Sequence, residues 1–312
     1  MLLSTVYLFR SGFSFSEWFF LRWISITDAD IVVNLNAVTS DPFQCINTKL
    51  LLHKYRTTVC VHDAEKDTDV SGLIIKNGIW EETLVSIILR ILSIHAQFAF
   101  FDIGANIGIY TMYATSSGCQ NVIAVECFLP NIERIRRAIQ IEKVQQQVVL
   151  VPRALYNKSN VYLSLRENIE KNIGSQRLNA EVNKNEKDPF IVQTMRFDDL
   201  LPVIRERNIQ QAIIKIDIET SEHYLCETGE KVFNQINIPF VMMEWANIKK
   251  ITVRADSILR FFRNRSYIPF NPETCQSEID NDYRHWLTQD IFWIKKNYSH
   301  LCMLSLKNVK SL

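Results

Sequence analysis

The feature that most constrains the fold of this 312-residue chain is a glycine-punctuated turn between two apolar segments. The first segment, residues 98–103, is apolar except for Asp102, and Gly104 and Gly108 follow it before a helical pattern begins. About twenty residues after the turn, a second apolar run stops at Glu126. A strand, a glycine turn, a helix and a strand that ends in an acid are typical of α/β folds with a parallel sheet. The chain is therefore predicted to form such a sheet.

Details of the turn indicate which ligand it holds. Dinucleotide-binding turns read G-x-G-x-x-G, whereas this turn reads D-x-G-x-N-x-G, with Asn106 in place of the second glycine. The pair Asp102 and Asn106 suits an amino-acid tail, because its ammonium needs acceptors and its carboxylate needs N–H donors. Glu126 can accept hydrogen bonds from ribose hydroxyls. These residues favour S-adenosylmethionine as the cofactor over NAD, which remains the alternative.

Acids also follow two later apolar runs. The run 213–218 contains Asp217 and is followed by Glu219 and Glu222, and another run ends at Glu244. Ligands of open α/β sheets bind outside the carboxyl ends of the strands. We therefore expect these acids to share one edge of the sheet with the glycine turn.

Three segments together resemble the FkbM-type S-adenosylmethionine-dependent methyltransferases. That family is typically written D-x-G-A-N-x-G-x-Y-T, then E-x-x-P-x-N, then K-I-D-x-E-G-x-E. The corresponding segments here are residues 102–111, 126–131 and 215–222, in the same order. The resemblance covers roughly residues 78–245.

The resemblance implies a Rossmann-like class I methyltransferase fold of the α/β class. Its mostly parallel seven-stranded sheet would carry helices on both faces. Segment 151–155 is similar to the third strand of the family and to the alanine that the strand carries. The residues expected to bind the cofactor are Asp102, Gly104, Ala105, Asn106, Gly108, Glu126 and Ala154.

The chain departs from the family pattern at two positions. Thr220 stands where the family usually has glycine, and this β-branched side chain is expected to narrow the acceptor pocket. Cys127 replaces a proline after Glu126, which is a milder change because the acid is retained. Binding of the cofactor is therefore better supported than catalysis.

Methyl transfer to a hydroxyl needs a nucleophile held in line and an acceptor for its proton. Asp217 is the first candidate for the catalytic base and Glu219 the second. Glu222 is interpreted as an acid at a helix start, and Glu244 as either a substrate contact or a capping group. His223 is expected to be solvated and is given no role.

The predicted function is O-methylation of a hydroxyl on a small molecule or sugar, with oxygen as acceptor implied by the resemblance. Two alternatives stay open. One is a noncatalytic relative that binds the cofactor and in which Thr220 has closed the acceptor site. The other is an NAD-dependent oxidoreductase built on the same strand, turn and helix.

Composition argues against several other classes of protein. With 35 basic and 34 acidic residues the net charge is +1, which disfavours nucleic acid as a partner. The seven cysteines include no C-x-x-C pair and no Cys/His cluster at zinc spacing, so no metal is predicted. Scattered cysteines favour reduced thiols in the cytoplasm, whereas a Cys45–Cys60 bridge would indicate secretion.

Three parts of the chain are distinguished: an N-terminal accessory segment (1–77), a cofactor-binding core (78–250) and a C-terminal segment that completes the sheet (251–312). Charged residues interrupt the aromatic-rich residues 1–33, so no uninterrupted apolar run of about 18 residues is present there. Association with a membrane is therefore not favoured. A location in a membrane of the secretory pathway remains the alternative to the cytoplasm.

Overall fold

The computed structural model describes residues 31–37, 42–166, 173, 176–185, 188–279 and 282–305. Most of the N-terminal segment for which membrane association was considered lies outside these residues. Among the helices of the described ranges, none combines the length and the apolar character needed to cross a bilayer.

The N-terminal segment forms a small layer of its own. Strands β1 (Cys45–Asn47) and β2 (Thr58–Cys60) pair antiparallel. A helical turn at Thr68–Gly72 leads into helix α1 (Leu73–Asn77), and helix α2 (Glu82–Ile94) follows. The buried face of α2 joins the main hydrophobic core, so this layer is part of the same folded body as the sheet.

A central sheet of seven strands dominates the molecule. Its strands are β3 (Ala99–Ile103), β4 (Val122–Val125), β5 (Val148–Val151), β10 (Gln211–Ile216), β11 (Asn237–Glu244), β12 (Tyr267–Phe270) and β13 (Asp290–Lys295). Their order is β12-β13-β11-β10-β3-β4-β5, and β13 alone among them runs antiparallel to both of its neighbours. The predicted seven-stranded, mostly parallel sheet is confirmed.

Helices cover both faces of this sheet. Besides α2 they are α3 (Ile109–Ser116), α4 (Leu129–Glu142), α5 (Leu201–Glu206), α6 (His223–Thr228), α7 (Glu230–Gln235) and α8 (Thr252–Arg263), with short 3₁₀ helices at Phe197–Leu200, Ile248–Lys250, Tyr283–His285 and Lys296–Ser305. Successive side chains of a strand point to opposite faces, and Phe100 and Phe101 accordingly lie in two different core clusters. Because both faces are buried, the parallel strands are near-continuous apolar runs, interrupted in β3 by Asp102 and in β10 by Lys215.

A second, smaller sheet stands beside the carboxyl ends of the central strands. It contains β6 (Ala154–Leu155), β7 (Tyr162–Leu165), β8 (Leu178–Glu181) and β9 (Ile191–Met195) in the order β6-β9-β7-β8. Its core is a separate cluster that includes Phe128, Leu163 and Val192.

The cysteines pair differently from the sequence-based expectation. Disulfides join Cys45 to Cys60, across β1 and β2, and Cys275 to Cys302. The expectation of reduced thiols is therefore wrong for these four residues, and the Cys45–Cys60 bridge that was kept as the alternative is present. Spacing in the sequence does not show which cysteines meet, because the antiparallel pairing of β1 with β2 places Cys45 directly opposite Cys60.

Removing the first bridge, by Cys45→Ala together with Cys60→Ala, is expected to lower the free energy of unfolding by about 3 kcal/mol. The bridge spans 15 residues of sequence, and closing a loop of that length limits the entropy of the unfolded chain. Urea denaturation under non-reducing conditions measures the change. Reductant should destabilise the wild-type protein at least as much, because it opens both bridges. A variant as stable as the wild-type protein would show that this bridge contributes nothing.

Candidate functional site

A cleft opens at the carboxyl ends of β3, β4 and β10, between the central sheet and the small sheet. Six of the residues singled out from the sequence line it: Gly104, Asn106, Glu126, Ala154, Asp217 and Glu219. Apolar side chains of Ile103, Val125, Leu155 and Ile218 complete its walls. Asp102, Ala105 and Gly108 are not among the lining residues. The structure therefore brings residues of both expected groups, cofactor-binding and catalytic, to one cleft.

The glycines of the turn are needed for contacts within the protein. Gly104 has φ +78°, and an ideal Cβ at this position would lie 1.9 Å from the main-chain oxygen of Asp217. Gly108 has φ +85°, and its Cβ would lie 3.0 Å from Cγ1 of Ile135 in α4. Such a close approach of one strand end to its neighbour leaves no room for a side chain. The turn is therefore fixed against β10 on one side and α4 on the other.

Asp102 lies below the turn and is fully buried. Its Oδ2 accepts hydrogen bonds from the main-chain N–H of Thr111 (3.0 Å) and from its hydroxyl (2.6 Å). Burial raises the pKa of this carboxyl, although Lys215 nearby lowers it. Asp102 thus ties the end of β3 to the first turns of α3, and its contact with a cofactor stays a prediction.

Glu126 joins the turn to the end of β4. Its Oε2 accepts a hydrogen bond from the N–H of Asn106, and its Oε1 accepts one from the N–H of Phe128, both at 2.8 Å. Each carboxylate oxygen can accept a further hydrogen bond. The side chain is therefore held in place and still has acceptor capacity toward the cleft that it lines.

Burial raises the pKa of Glu126 to about 7 in the folded protein, from an ordinary value of 4.5. Between these values the folded protein keeps a proton that the unfolded chain has released. Protonated Glu126 therefore contributes to the free energy of unfolding in full below pH 4.5, and this contribution is lost as the pH rises through about 7. Glu126→Gln should reduce this pH-dependent loss of stability by up to about 3 kcal/mol, which urea denaturation at pH values between 4.5 and about 7 measures. Equal slopes in both proteins would contradict the prediction.

Lys215 is a functional candidate that was not singled out from the sequence. Its Nζ donates a hydrogen bond to the main-chain oxygen of Gly104 (2.8 Å) and lies 3.9 Å from carboxylate oxygens of both Asp102 and Asp217. Burial lowers the pKa of this amine, but the surrounding acids outweigh that effect and raise it. The signal was present in the sequence, because a lysine inside a buried apolar strand is rare unless it is paired.

The segment before α2 closes the cleft from the N-terminal side. Trp80 lines the cleft. Glu81 lies behind it, and its Oε2 accepts a hydrogen bond from the hydroxyl of Tyr110 (2.6 Å). Burial raises the pKa of Glu81 to about 7. The accessory segment thus contributes to the cleft as well as to the core.

The loop after β10 carries both candidate bases. The side chain of Asp217 is 30% exposed, and that of Glu219 is 21% exposed, with its Oε2 3.8 Å from Nε of Arg177. Glu219 and Thr220 have φ +55° and +75°, a conformation that favours glycine. The carbonyl and hydroxyl oxygens of Thr220 accept hydrogen bonds from Nη1 of Arg254 (2.7 and 3.1 Å). Thr220 therefore faces α8 and is not among the residues that line the cleft.

Three further expectations concern residues near this loop. His223 is buried at 6% exposure against the ring of Tyr224, so the expectation of a solvated side chain is wrong. Burial lowers its pKa to about 4. Glu222 lies just before α6, as expected, but it is fully buried and accepts a hydrogen bond from the N–H of Ile218. Glu244 accepts one from the side-chain amide of Asn247.

Comparison with known proteins identifies the family. The methyltransferase FkbM domain matches residues 102–269, which is more than half of the chain. No curated protein is significantly similar in sequence.

Several solved structures are similar to the chain at low identity. An O-methyltransferase from Bacillus cereus in complex with SAH is 10% identical, with 70% of this chain and 83% of that chain covered and a TM-score of 0.41. A methyltransferase from Podospora anserina bound to SAH is 6% identical, with 70% and 79% covered and a TM-score of 0.39. An rRNA methylase from Streptococcus thermophilus is 11% identical, with 69% and 95% covered and a TM-score of 0.38. Similarities this distant do not bear on what the chain acts on.

The cleft fits the cofactor that the family uses. S-adenosylmethionine carries a sulfonium and an ammonium, and the cleft offers the carboxylates of Glu126, Asp217 and Glu219. Its apolar walls suit an adenine ring. The matched range contains all three sequence motifs, strands β4 and β10, and the carboxyl end of β3. The chain therefore belongs to the FkbM family of S-adenosylmethionine-dependent methyltransferases.

Proposed function

We propose that this protein transfers a methyl group to a hydroxyl oxygen of a small molecule or sugar. The observation that carries the proposal is the position of Asp217, which lines the same cleft as the glycine turn and Glu126 and is partly exposed there. An open carboxylate beside a cofactor cleft can orient a hydroxyl and accept its proton.

The cofactor-binding residues divide by the chemistry that they offer. Glu126 would accept hydrogen bonds from the ribose hydroxyls. The turn formed by Gly104, Ala105, Asn106 and Gly108 would hold the amino-acid tail, with Asp102 supporting the turn from below. Ala154 lies on the wall formed by the small sheet, where its short side chain leaves room for a ring. When bound, S-adenosylmethionine supplies an electrophilic methyl group on a sulfonium.

Other residues of the cleft would act on the acceptor hydroxyl. Asp217 would accept the proton that the acceptor hydroxyl releases, and Glu219 is the second candidate for that role. Lys215, 3.9 Å from Asp217, holds a positive charge under the loop and donates a hydrogen bond to the turn at Gly104. It thereby connects the cofactor side of the cleft to the acceptor side. We interpret Lys215 as a positioning residue.

The position of Thr220 bears on whether the protein is a noncatalytic relative. Its side chain contacts Arg254 instead of lining the cleft, which supports an open acceptor site. A small-molecule acceptor also agrees with the balanced overall charge of the chain. RNA, the kind of substrate that an rRNA methylase such as the one from Streptococcus thermophilus modifies, is the competing acceptor in the test.

Two measurements test the proposal. Calorimetry with S-adenosylmethionine, its demethylated product and NAD should show binding of the first two. Transfer of a labelled methyl group should then occur to members of a panel of hydroxyl compounds and sugars, with unmodified RNA as a separate arm. Transfer to RNA alone would replace the proposed acceptor. If the protein binds S-adenosylmethionine but transfers no methyl group in any arm, and if Thr220→Gly restores the transfer, the protein is the noncatalytic relative.

A further inference from the structure

Three carboxylates from two neighbouring strand ends converge beside the cleft. They belong to Asp217, which follows β10, to Glu222 at the start of α6 and to Glu244 at the end of β11. One carboxylate oxygen of each lies within 4.8 Å of one oxygen of each of the others. The parallel pairing of β10 with β11 produces this arrangement, because it brings the carboxyl ends of both strands to one edge of the sheet.

Two of these carboxylates each have an oxygen without a partner. Glu222 is 0% exposed; its Oε1 accepts the N–H of Ile218 (2.8 Å), whereas its Oε2 has no hydrogen-bond partner among the described residues. In Glu244 the Oε1 accepts from Asn247 (2.6 Å), and within the described structure the buried Oε2 likewise lacks a partner. An unpaired buried oxygen of this kind is costly unless something binds it. The free oxygens are therefore the ones available to a ligand.

Local charges favour a cation as that ligand. Lys215 is 3.9 Å from Asp217, but it also lies 3.9 Å from Asp102 and is influenced by Glu81 and Asp290. On the other side, Arg177 acts on Glu244 and lies 3.8 Å from Glu219. Each nearby cation is thus shared with an acid outside the three-carboxylate cluster.

We propose that Asp217, Glu222 and Glu244 bind a divalent cation of the Mg²⁺ or Mn²⁺ type. Carboxylate oxygens are the ligands that these hard cations prefer, and the cluster contains neither thiol nor imidazole. A divalent cation would pair with both free Glu oxygens and reduce the repulsion among the three acids. Because Asp217 lines the cleft, the cation would reach the site from there.

The cation would also act in the proposed methyl transfer. A divalent cation held by one oxygen of Asp217 can bind an acceptor hydroxyl and favour its ionised form, and the other oxygen of Asp217 can accept the released proton. That role rests on the proposed methyl transfer, whereas binding of the cation does not. The expectation that no metal binds rested on the spacing of Cys and His residues, and three acids from separate segments form no such pattern.

The test is a titration with Mn²⁺ in the absence of cofactor and acceptor, with free Mn²⁺ followed by its electron paramagnetic resonance signal. Wild-type protein should bind about one Mn²⁺ per chain, and Mg²⁺ should compete for it. Glu222→Gln and Glu244→Gln should each weaken binding by at least about tenfold, because each removes a charged ligand. Glu230→Gln is the matched control, since Glu230 is not one of the three clustered acids and its side chain, 74% exposed in α7, pairs with Arg265.

Circular dichroism and thermal melting establish that each variant is folded. If one of the two buried variants fails to fold, the other still decides the outcome. Absence of saturable Mn²⁺ binding by the wild-type protein would overturn the proposal, as would unchanged affinity in the folded variants. Calorimetry with S-adenosylmethionine and the labelled-methyl assay, run separately, distinguish this failure from a failure of the proposed methyl transfer.

Discussion

Replacing Asp217 with Asn is expected to lower kcat for methyl transfer by about 10²–10⁴-fold, the usual contribution of a general base. The substitution keeps the size of the side chain but removes its capacity to accept a proton. The affinity for S-adenosylmethionine should change by less than about tenfold, because Glu126 and the glycine turn are untouched. Steady-state kinetics with labelled cofactor and calorimetry measure the two quantities.

Glu219→Gln provides the comparison for this prediction. Glu219 lies near Arg177 at the rim of the cleft, so its loss should reduce kcat less than the loss of Asp217. A larger effect at Glu219 than at Asp217 would reverse the two assignments. Repeating the Asp217→Asn assay with excess Mn²⁺ separates the role of Asp217 as a base from its role as a metal ligand. Added cation can compensate for weakened metal binding but not for a missing base.

Replacing Gly104 with Ala is expected to destabilise the fold by more than about 4 kcal/mol, a loss that single substitutions rarely reach. The new Cβ would lie 1.9 Å from the main-chain oxygen of Asp217 and 2.8 Å from Cγ2 of Ile218. The ends of β3 and β10 would therefore have to separate. Urea unfolding followed by tryptophan fluorescence measures the change in the free energy of unfolding.

Gly118→Ala is the matched control. Gly118 also has a positive φ, +89°, but apart from its two neighbours in the chain no described residue has a heavy atom within 4 Å of an added Cβ. Its substitution should cost only about 1–2 kcal/mol of backbone strain. Equal losses in the two variants would show that backbone conformation, and not the approach of β10, accounts for the need for glycine at residue 104.

The central strands could be predicted because each is a short apolar run bounded by turns or acids. Residues 98–103 and 122–125 are examples, and each contains a fully buried strand. Burial on both faces of a parallel sheet requires such runs, so the pattern is local and readable. The motifs around Asp102, Glu126 and Asp217 then indicated the edge of the sheet at which the cleft forms.

Contacts between distant segments could not be predicted in the same way. Thr220 was expected to narrow the pocket, yet it faces Arg254 on α8, 34 residues away in sequence. His223 was expected in solvent and is buried, because packing of α6 and not the polarity of the residue decides its exposure. The Cys45–Cys60 bridge was named from the sequence only as an alternative, because whether it forms depends on the pairing of β1 with β2.

The sequence by itself determined the α/β class and the residues that surround the glycine turn, and it favoured S-adenosylmethionine as the cofactor, because these depend on residue types at close spacing. Only the tertiary structure decided that Lys215 links Asp102 to Asp217, and that Glu222 and Glu244 meet beside Asp217. The reason is geometric: parallel strands far apart in the chain end at one edge of the sheet, and the charges gathered there are not neighbours in sequence.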